Sequence, residues 1–135
     1  MIKISKLVSR LMITIVVILL KRDIRCKVPF NTIFNHGGIG VVIHKDVKLG
    51  RYCIIGQQVT LGSRKGGVPT IGWGVLIGSH SSVTGGVRIG CCSVIGIGSI
   101  VFHDIPPFSL VRGNPAIIVK ELTEKEYLAI RRGRI

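Results

Sequence analysis

From residue 43 onward an aliphatic side chain returns every six positions, at Ile43, Leu49, Ile55 and Leu61, then at Ile71, Ile77, Val83, Ile89, Ile95 and Val101. Glycine follows the aliphatic at positions 50, 56, 62, 72, 78, 90 and 96. Four positions after each aliphatic stands something small or β-branched: Val47, Cys53, Val59, Val75, Ser81, Val87, Ser93, Ser99. Period six with this pattern is the signature of a parallel β-helix. One aliphatic per hexad points inward, and glycine permits the tight bend that starts the next face.

The register breaks once. Leu61 to Ile71 spans ten residues, so four extra residues sit within "LGSRKGGVPTIG". An insertion at a corner must leave the coil as a loop. Arg64 and Lys65 make that loop basic, Gly66 and Gly67 make it mobile, and the expectation is a loop over a substrate groove. Further on, "FHDIPPFSLVRGNPAIIVKEL" carries Pro106 and Pro107, which cannot extend a regular ladder, so the coil is expected to end there. The last stretch, "LTEKEYLAIRRGRI", has helical spacing through Leu122, Tyr127 and Ile130. Thr123 is its expected cap, with Glu124 and Glu126 in the first turn.

The other end differs from both. "LMITIVVILL", Leu11 to Leu20, is apolar and is flanked by Lys3, Lys6 and Arg10 before it and by Lys21, Arg22 and Arg25 after it. It is too short to span a bilayer. The basic "KRDIRCK" stands where a signal peptide would need small residues for cleavage. The expectation is an apolar helix or strand packed on the main body or on another subunit. The alternative is a basic, apolar anchor on the inner face of a membrane, through residues 1–25. The chain thus divides into an N-terminal segment (1–27), a β-helix (28–121) and a C-terminal helix with a basic tail (122–135).

Composition narrows the class. The chain has 135 residues, enough for one domain with its own core. Hydrophobic residues make up 47% and aromatics 5%, so the core is built from Ile, Val and Leu. The 18 glycines are about twice the usual share, and with so much Ile and Val they mean strands and turns rather than disorder. The formal charge of +13 attracts anions such as nucleotide phosphates, acidic glycans or lipid head groups. Nucleic acid is disfavoured, because the positive charges are scattered and no aromatic platform interleaves them. Cys26, Cys53, Cys91 and Cys92 form no C-x-x-C pair and no zinc spacing, and read as reduced cytosolic thiols without a catalytic role.

One stretch is not explained by the repeat. In "FNHGGIGVVIH", Phe34 to His44, a histidine stands against two glycines, as a turn residue, a packing residue, a metal ligand or a base would. Together with "QQVTLGSRKGGVPTIG", "LIGSHSSVTGGVRIG" and "LVRGNPAIIV", this stretch resembles the short hexapeptide-repeat acyltransferases related to serine acetyltransferase. The resemblance covers residues 26–121. It implies a left-handed β-helix, an exception to the right-handed crossover rule, and a homotrimer with active sites between neighbouring subunits.

The same resemblance implies roles for particular residues. In such enzymes the histidine of this segment takes a proton from the acceptor hydroxyl while that oxygen attacks the thioester of acetyl-CoA; by position it is His36. Imidazole suits the task, since it accepts and returns a proton near neutral pH. The relatives pair this base with an upstream aspartate and write the local motif "D-H". Here the candidate orienting partners are Asp23 and Asn35, with Lys27 near the place of the aspartate and a backbone carbonyl as the alternative. Acetyl-CoA is expected along Ser79, Gly98 and Gly113-Asn114-Pro115-Ala116. Ile97 departs from the usual Ala of that path, and Ile117 stands where relatives often place a cation for a CoA phosphate. Arg112 and Lys120 are the electrostatic substitutes.

The acceptor loop, Arg64 to Gly67, departs from the serine-specific pattern. Serine acetyltransferases hold the amino acid with a His and an Arg, and here Val68 and Gly72 occupy the aligned places. A serine carboxylate would lose a cationic partner worth about 1.5–3 kcal/mol, whereas a sugar hydroxyl needs none. His44, His80 and His103 read as surface or groove-lining residues. A zinc-dependent carbonic anhydrase of this fold is disfavoured, because Gly85 and Gly86 stand where its third ligand would be. The expected function is therefore acetyl-CoA-dependent O-acetylation of a sugar or glycan precursor by a cytoplasmic trimer without a metal. Serine O-acetylation is the alternative reaction, and a non-catalytic trimeric scaffold at a membrane assembly the alternative class.

Overall fold

Each hexad makes one short strand, and three hexads close one coil. The computed structural model describes residues 2–20 and 22–133 and, within the N-terminal helix, the side chains of residues 5–12, 14 and 15. The coils stack into a left-handed parallel β-helix with three flat faces. On the first face Ile24, Ile43, Leu61, Val83 and Val101 are stacked partners. The second face stacks Leu49, Ile71 and Ile89, and Ile105 continues it by an isolated bridge. Phe34, Ile55, Ile77, Ile95 and Val111 make the third. These columns meet in the middle as one aliphatic core, as the six-residue period requires.

Three columns of corners join the faces. At the corners successive coils touch through backbone, which is why glycine recurs. A Cβ on Gly78 would lie 2.6 Å from the Ile97 amide nitrogen, and one on Gly90 only 2.2 Å from the nitrogen of Pro107. Buried serines tie the upper coils together. Ser81 Oγ donates to the Gly96 carbonyl (2.8 Å), Ser99 Oγ to the same carbonyl (2.6 Å) and Ser93 Oγ to that of Pro106 (2.8 Å). No inward serine is left unpaired, which removes the cost of burying a hydroxyl.

Three boundaries differ from expectation. The ladder begins at Asp23–Ile24, ahead of residue 28, because Ile24 and Phe34 stack under Ile43 and Ile55 although they are not six residues apart. Pro106 and Pro107 do not end the coil. They form a corner, where no ladder donor is required, and the chain returns to the third face as Ser109–Gly113 before folding back antiparallel as Ala116–Glu121. The insertion is a tight hairpin rather than a mobile loop. Arg64 and Gly67 exchange both backbone hydrogen bonds (2.9 and 3.1 Å), and Lys65 and Gly66 take φ of 51° and 78°, the geometry of a type I′ turn.

The helix α2 (Glu124–Arg131) follows, capped by Thr123 in a capping box with Glu126 as expected. It lies on the outside of the third face, where Leu76, Val94 and Cys92 meet Leu122, Tyr127 and Ile130. Tyr127 donates to the Gly74 carbonyl (2.6 Å), and Arg131 donates to the Tyr52 carbonyl (2.7 Å) and to the Tyr127 hydroxyl (3.1 Å). At the other end stands α1 (Ile2–Leu20). All its described side chains, residues 5–12, 14 and 15, are exposed, so these do not pack on the body of their own chain. Lys21 and the tail residues 134–135 lie outside the described residues.

Two stability predictions follow from these contacts. Leu61→Ala empties a fully buried site on the first face, and chemical denaturation should show a loss of about 2–5 kcal/mol. The Glu126 carboxyl is held down to about 2 by Lys120 and by the backbone and hydroxyl of Thr123. Its contribution to α2 is present above the ordinary value of 4.5 and is lost as pH falls toward 2. Wild-type midpoints should decline across that window, and Glu126→Gln should be lower at neutral pH and flatter through it.

Candidate functional site

One corner column gathers most of the candidate residues. It joins the third face to the first and is formed, from the first coil upward, by Asn35–Gly40, Gly56–Gln58, Gly78–His80 and Gly96–Gly98. The turn of the terminal hairpin, Gly113 to Ala116, caps it, with Gly113 N–H donating to Ser99 Oγ (3.3 Å). Strands in a sheet lie about 4.8 Å apart, so from the His36 turn to the cap is roughly 19 Å.

His36 lies at the foot of this column in a 3-10 turn, Asn35–Gly38. Its backbone is left-handed (φ 52°), as are Gly37 (67°) and Gly38 (75°). The side chain is exposed. Arg22 Nη1 donates to the Gly37 carbonyl (3.1 Å) and so fastens the turn to the chain entering the first coil. Sequence reading missed Arg22, whose only signal was its place among the basic residues after the apolar run.

The orienting partners fare differently from expectation. The Asp23 carboxylate is engaged by Arg25, at 2.9 Å through both Nε and Nη2, and makes no bond to His36. Asn35 lies beside the imidazole in sequence and faces the neighbouring groove. That groove, about 460 Å³, runs over the third face between Ile54, Leu76, Ile97, Ile130 and Arg131.

Higher on the column, Ser79 Oγ donates to Gln57 Oε1 (2.6 Å), a partner not singled out from the sequence. Gly98 has φ 69°, and a Cβ there would meet nothing within 4 Å, so its outer side is open to a ligand. Ile97 beside it is 77% exposed. Asn114 and Pro115 are exposed, whereas Ala116 is buried and supports the turn. Backbone and small side chains thus line the track, and Ile117 stands exposed beyond it.

The structure does not bring the acceptor loop to His36. Arg64, Lys65, Gly66 and Gly67 project from the next corner, across the width of the first face. Arg64 is stacked on the Phe102 ring, 5.2 Å from its centroid. Val68 packs against the core, and a Cβ on Gly72 would lie 2.8 Å from the Cys91 amide nitrogen. Neither position presents a side chain to an acceptor. His44 accepts from the Asp46 amide through Nδ1 (3.2 Å), and His80 and His103 are exposed. Among the described residues no three His, Cys, Asp or Glu side chains are grouped to hold a metal. All four cysteines are free, and burial pushes the Cys53 thiol up to about 11.

A glycine turn bearing an exposed imidazole at the foot of a β-helix groove defines a class, the hexapeptide-repeat acyltransferases, and this chain is related to it. Within that class it is similar to the serine acetyltransferases. It is 40% identical over 96 residues to the serine acetyltransferase of Bacillus subtilis, an alignment covering 68% of this chain and 44% of that one. It is 47% identical over 57 residues to the galactoside O-acetyltransferase of Escherichia coli, covering 42% and 28%. The crystal structure of Neisseria gonorrhoeae serine acetyltransferase in complex with serine superposes with a TM-score of 0.62 at 40% identity, over 64% of this chain and 36% of that one. The chain therefore spans less than half the length of these relatives. No protein-family model matches it.

Proposed function

We propose that this protein is an O-acetyltransferase that moves the acetyl group of acetyl-CoA to the hydroxyl of a sugar or glycan precursor. The observation that carries the reading is the exposed His36 on its glycine turn, at the foot of the open track past Ser79, Gly98 and Gly113–Ala116. The imidazole takes the hydroxyl proton as the oxygen forms its bond to the thioester carbonyl carbon. The carbon–sulfur bond then breaks, and the imidazole returns the proton to the departing thiolate. The chemistry asks only for proton transfer and positioning, so the reading gives no metal a role. With Asp23 held by Arg25, the turn itself, fastened by Arg22, positions the ring.

The separation of His36 from the Arg64–Gly67 hairpin favours a homotrimer. Within one chain the two stand at opposite edges of the first face, and a neighbouring copy is what brings a hairpin to a His36 corner. We place the trimer in the cytoplasm, where acetyl-CoA is made, with residues 1–25 toward the inner face of the membrane; nucleic acid is not a partner in this reading. Serine O-acetylation is the second reading, favoured by the similarity to serine-bound serine acetyltransferase. Against it stand Val68 and Gly72, one turned into the core and the other without room for a side chain.

His36→Ala should lower turnover by about two to four orders of magnitude while acetyl-CoA affinity stays nearly constant. The readout is thiol release with the acceptor in excess, together with acetyl-CoA binding by calorimetry. Near-normal turnover would remove His36 from the mechanism, and no thiol release with any acceptor would favour the scaffold. A second comparison sets L-serine against a panel of sugars under one assay, with kcat/KM as the measure. Sugars should lead. A lead for serine of more than about tenfold, roughly 1.4 kcal/mol in transition-state binding, means that another cation holds its carboxylate and that serine is the acceptor.

A further inference from the structure

We infer that α1 and the open base of the β-helix form one docking surface for an anionic lipid bilayer, and that a lipid-linked sugar presents the acceptor hydroxyl there. The second part rests on the acetyl-transfer reading; the first does not.

The helix supplies one side of the surface. Leu7, Val8, Leu11, Met12 and Ile15 recur at spacings of three and four, so they form one stripe, and Leu7 and Leu11 are 68% and 60% exposed. Ser9 Oγ donates to the Lys6 carbonyl (3.0 Å) and Thr14 Oγ1 to that of Arg10 (2.9 Å). The helix's own backbone satisfies both hydroxyls, so neither needs water once the helix meets hydrocarbon. No acidic residue precedes Asp23, while Lys6 and Arg10 stand one turn apart on α1. Among the described residues no helix is long and apolar enough to cross a membrane. A basic, apolar helix of this kind lies in the interface.

The base of the coil supplies the other side. Asp23–Ile24 and Ile33–Phe34 each pair only with the strand above, so among the described residues no strand pairs with the first coil from beneath. In the chain between them Phe30 is 100% exposed and borders one groove with Lys27, Lys48 and Arg51, and Ile33 at the start of the second strand is half-exposed. A bare phenylalanine among lysine and arginine suits the headgroup boundary, where the ring meets acyl chains and the cations meet phosphate. Charge decides between lipid and a second copy as occupant. Copies of α1 carry Lys6 and Arg10 and no acidic residue with which to pair, whereas an anionic surface supplies the opposite sign. His36 belongs to this same first coil, so docking sets the base at headgroup level, within reach of a sugar carried on a lipid.

Full-length protein is sedimented with vesicles of phosphatidylethanolamine and phosphatidylglycerol at three to one, and with vesicles of phosphatidylcholine alone. Binding should be confined to the anionic vesicles and should weaken with salt. It should fall about tenfold or more in Leu7→Ser/Leu11→Ser and in Lys6→Glu/Arg10→Glu, and about threefold in Phe30→Ser. Equal binding to both vesicles, none to either, or binding untouched by these substitutions overturns the docking surface. So does a drop in solution mass of Leu7→Ser/Leu11→Ser by light scattering, since a second copy would then cover the stripe. For the substrate, long-chain alkyl glycosides seated in the anionic vesicles are compared with the matching methyl glycosides in solution. The anchored acceptor should be acetylated about tenfold faster, and Leu7→Ser/Leu11→Ser should lose that advantage yet match wild type on the soluble one. Equal rates overturn the lipid-linked acceptor and leave docking standing. Failure on every glycoside, with vesicle binding intact, overturns the acetyl-transfer reading and the acceptor that rests on it.

Discussion

Corner contacts between successive coils set the terms for everything else in this fold. The ladder fixes coil spacing at about 4.8 Å, and at the bends backbone sits on backbone with no room for a methyl group. Gly56 is typical: a Cβ there would stand 2.5 Å from the Ser79 amide nitrogen. Such sites make the glycines obligatory, and the hexad between them is the length of one face plus one bend. Extra residues can leave only where the chain already turns. That is why the four-residue insertion emerges as a hairpin between two faces and leaves the aliphatic columns in register on either side.

The same constraint explains why the candidate residues are corner residues. Strand positions point into the core or form a face, whereas the bend pushes one or two side chains outward in left-handed conformation. Tyr52, Gln58, Lys65, His80, Cys92 and Phe108 all have positive φ, as His36 does. Positive φ is therefore the habit of the corner and does not by itself mark a site. His80 makes the comparison sharp, since it lies on the same column with φ 61°. What sets His36 apart is its turn. Three consecutive left-handed residues carry it away from the coil, and Arg22 holds the carbonyl that follows. His80 instead has Gln58 and Gly98 at the same position of the coils below and above, so it is one more tooth of a regular column.

Most of the coil was legible because its period is enforced twice, by aliphatics inward and glycines at the bends. The first coil was not, because Ile24 and Phe34 stack without the six-residue spacing and are followed directly by Arg25 and Asn35 rather than by the glycine of the repeat. Proline misled for a related reason. Its missing donor matters on a face but not in a bend, and no single residue states which of the two it occupies. His36 was singled out by the resemblance of its segment to that of the relatives, and the glycines after it are those that make its turn. Gln57 and Arg22 escaped because each acts through a contact across the coil, with Ser79 and with the Gly37 carbonyl, that no local pattern encodes.

Gly72 shows how far the corner rule reaches into specificity. Aligned with an arginine of serine-specific enzymes, it reads as a lost side chain, yet in this coil it is a contact glycine with Cys91 against it. No cation can be supplied from that position without moving the coil above, so the absence of a carboxylate partner there is built into the backbone. The hairpin offers two cations. Arg64 is committed to the face of Phe102, which leaves Lys65 at the tip, on a turn fixed by two backbone hydrogen bonds. In the proposed trimer that tip comes from a neighbouring copy. A single lysine is a point charge rather than a bidentate clamp for a carboxylate. Such a pocket would discriminate by shape and hydroxyl geometry more than by charge, which is what a sugar acceptor needs and an amino acid does not.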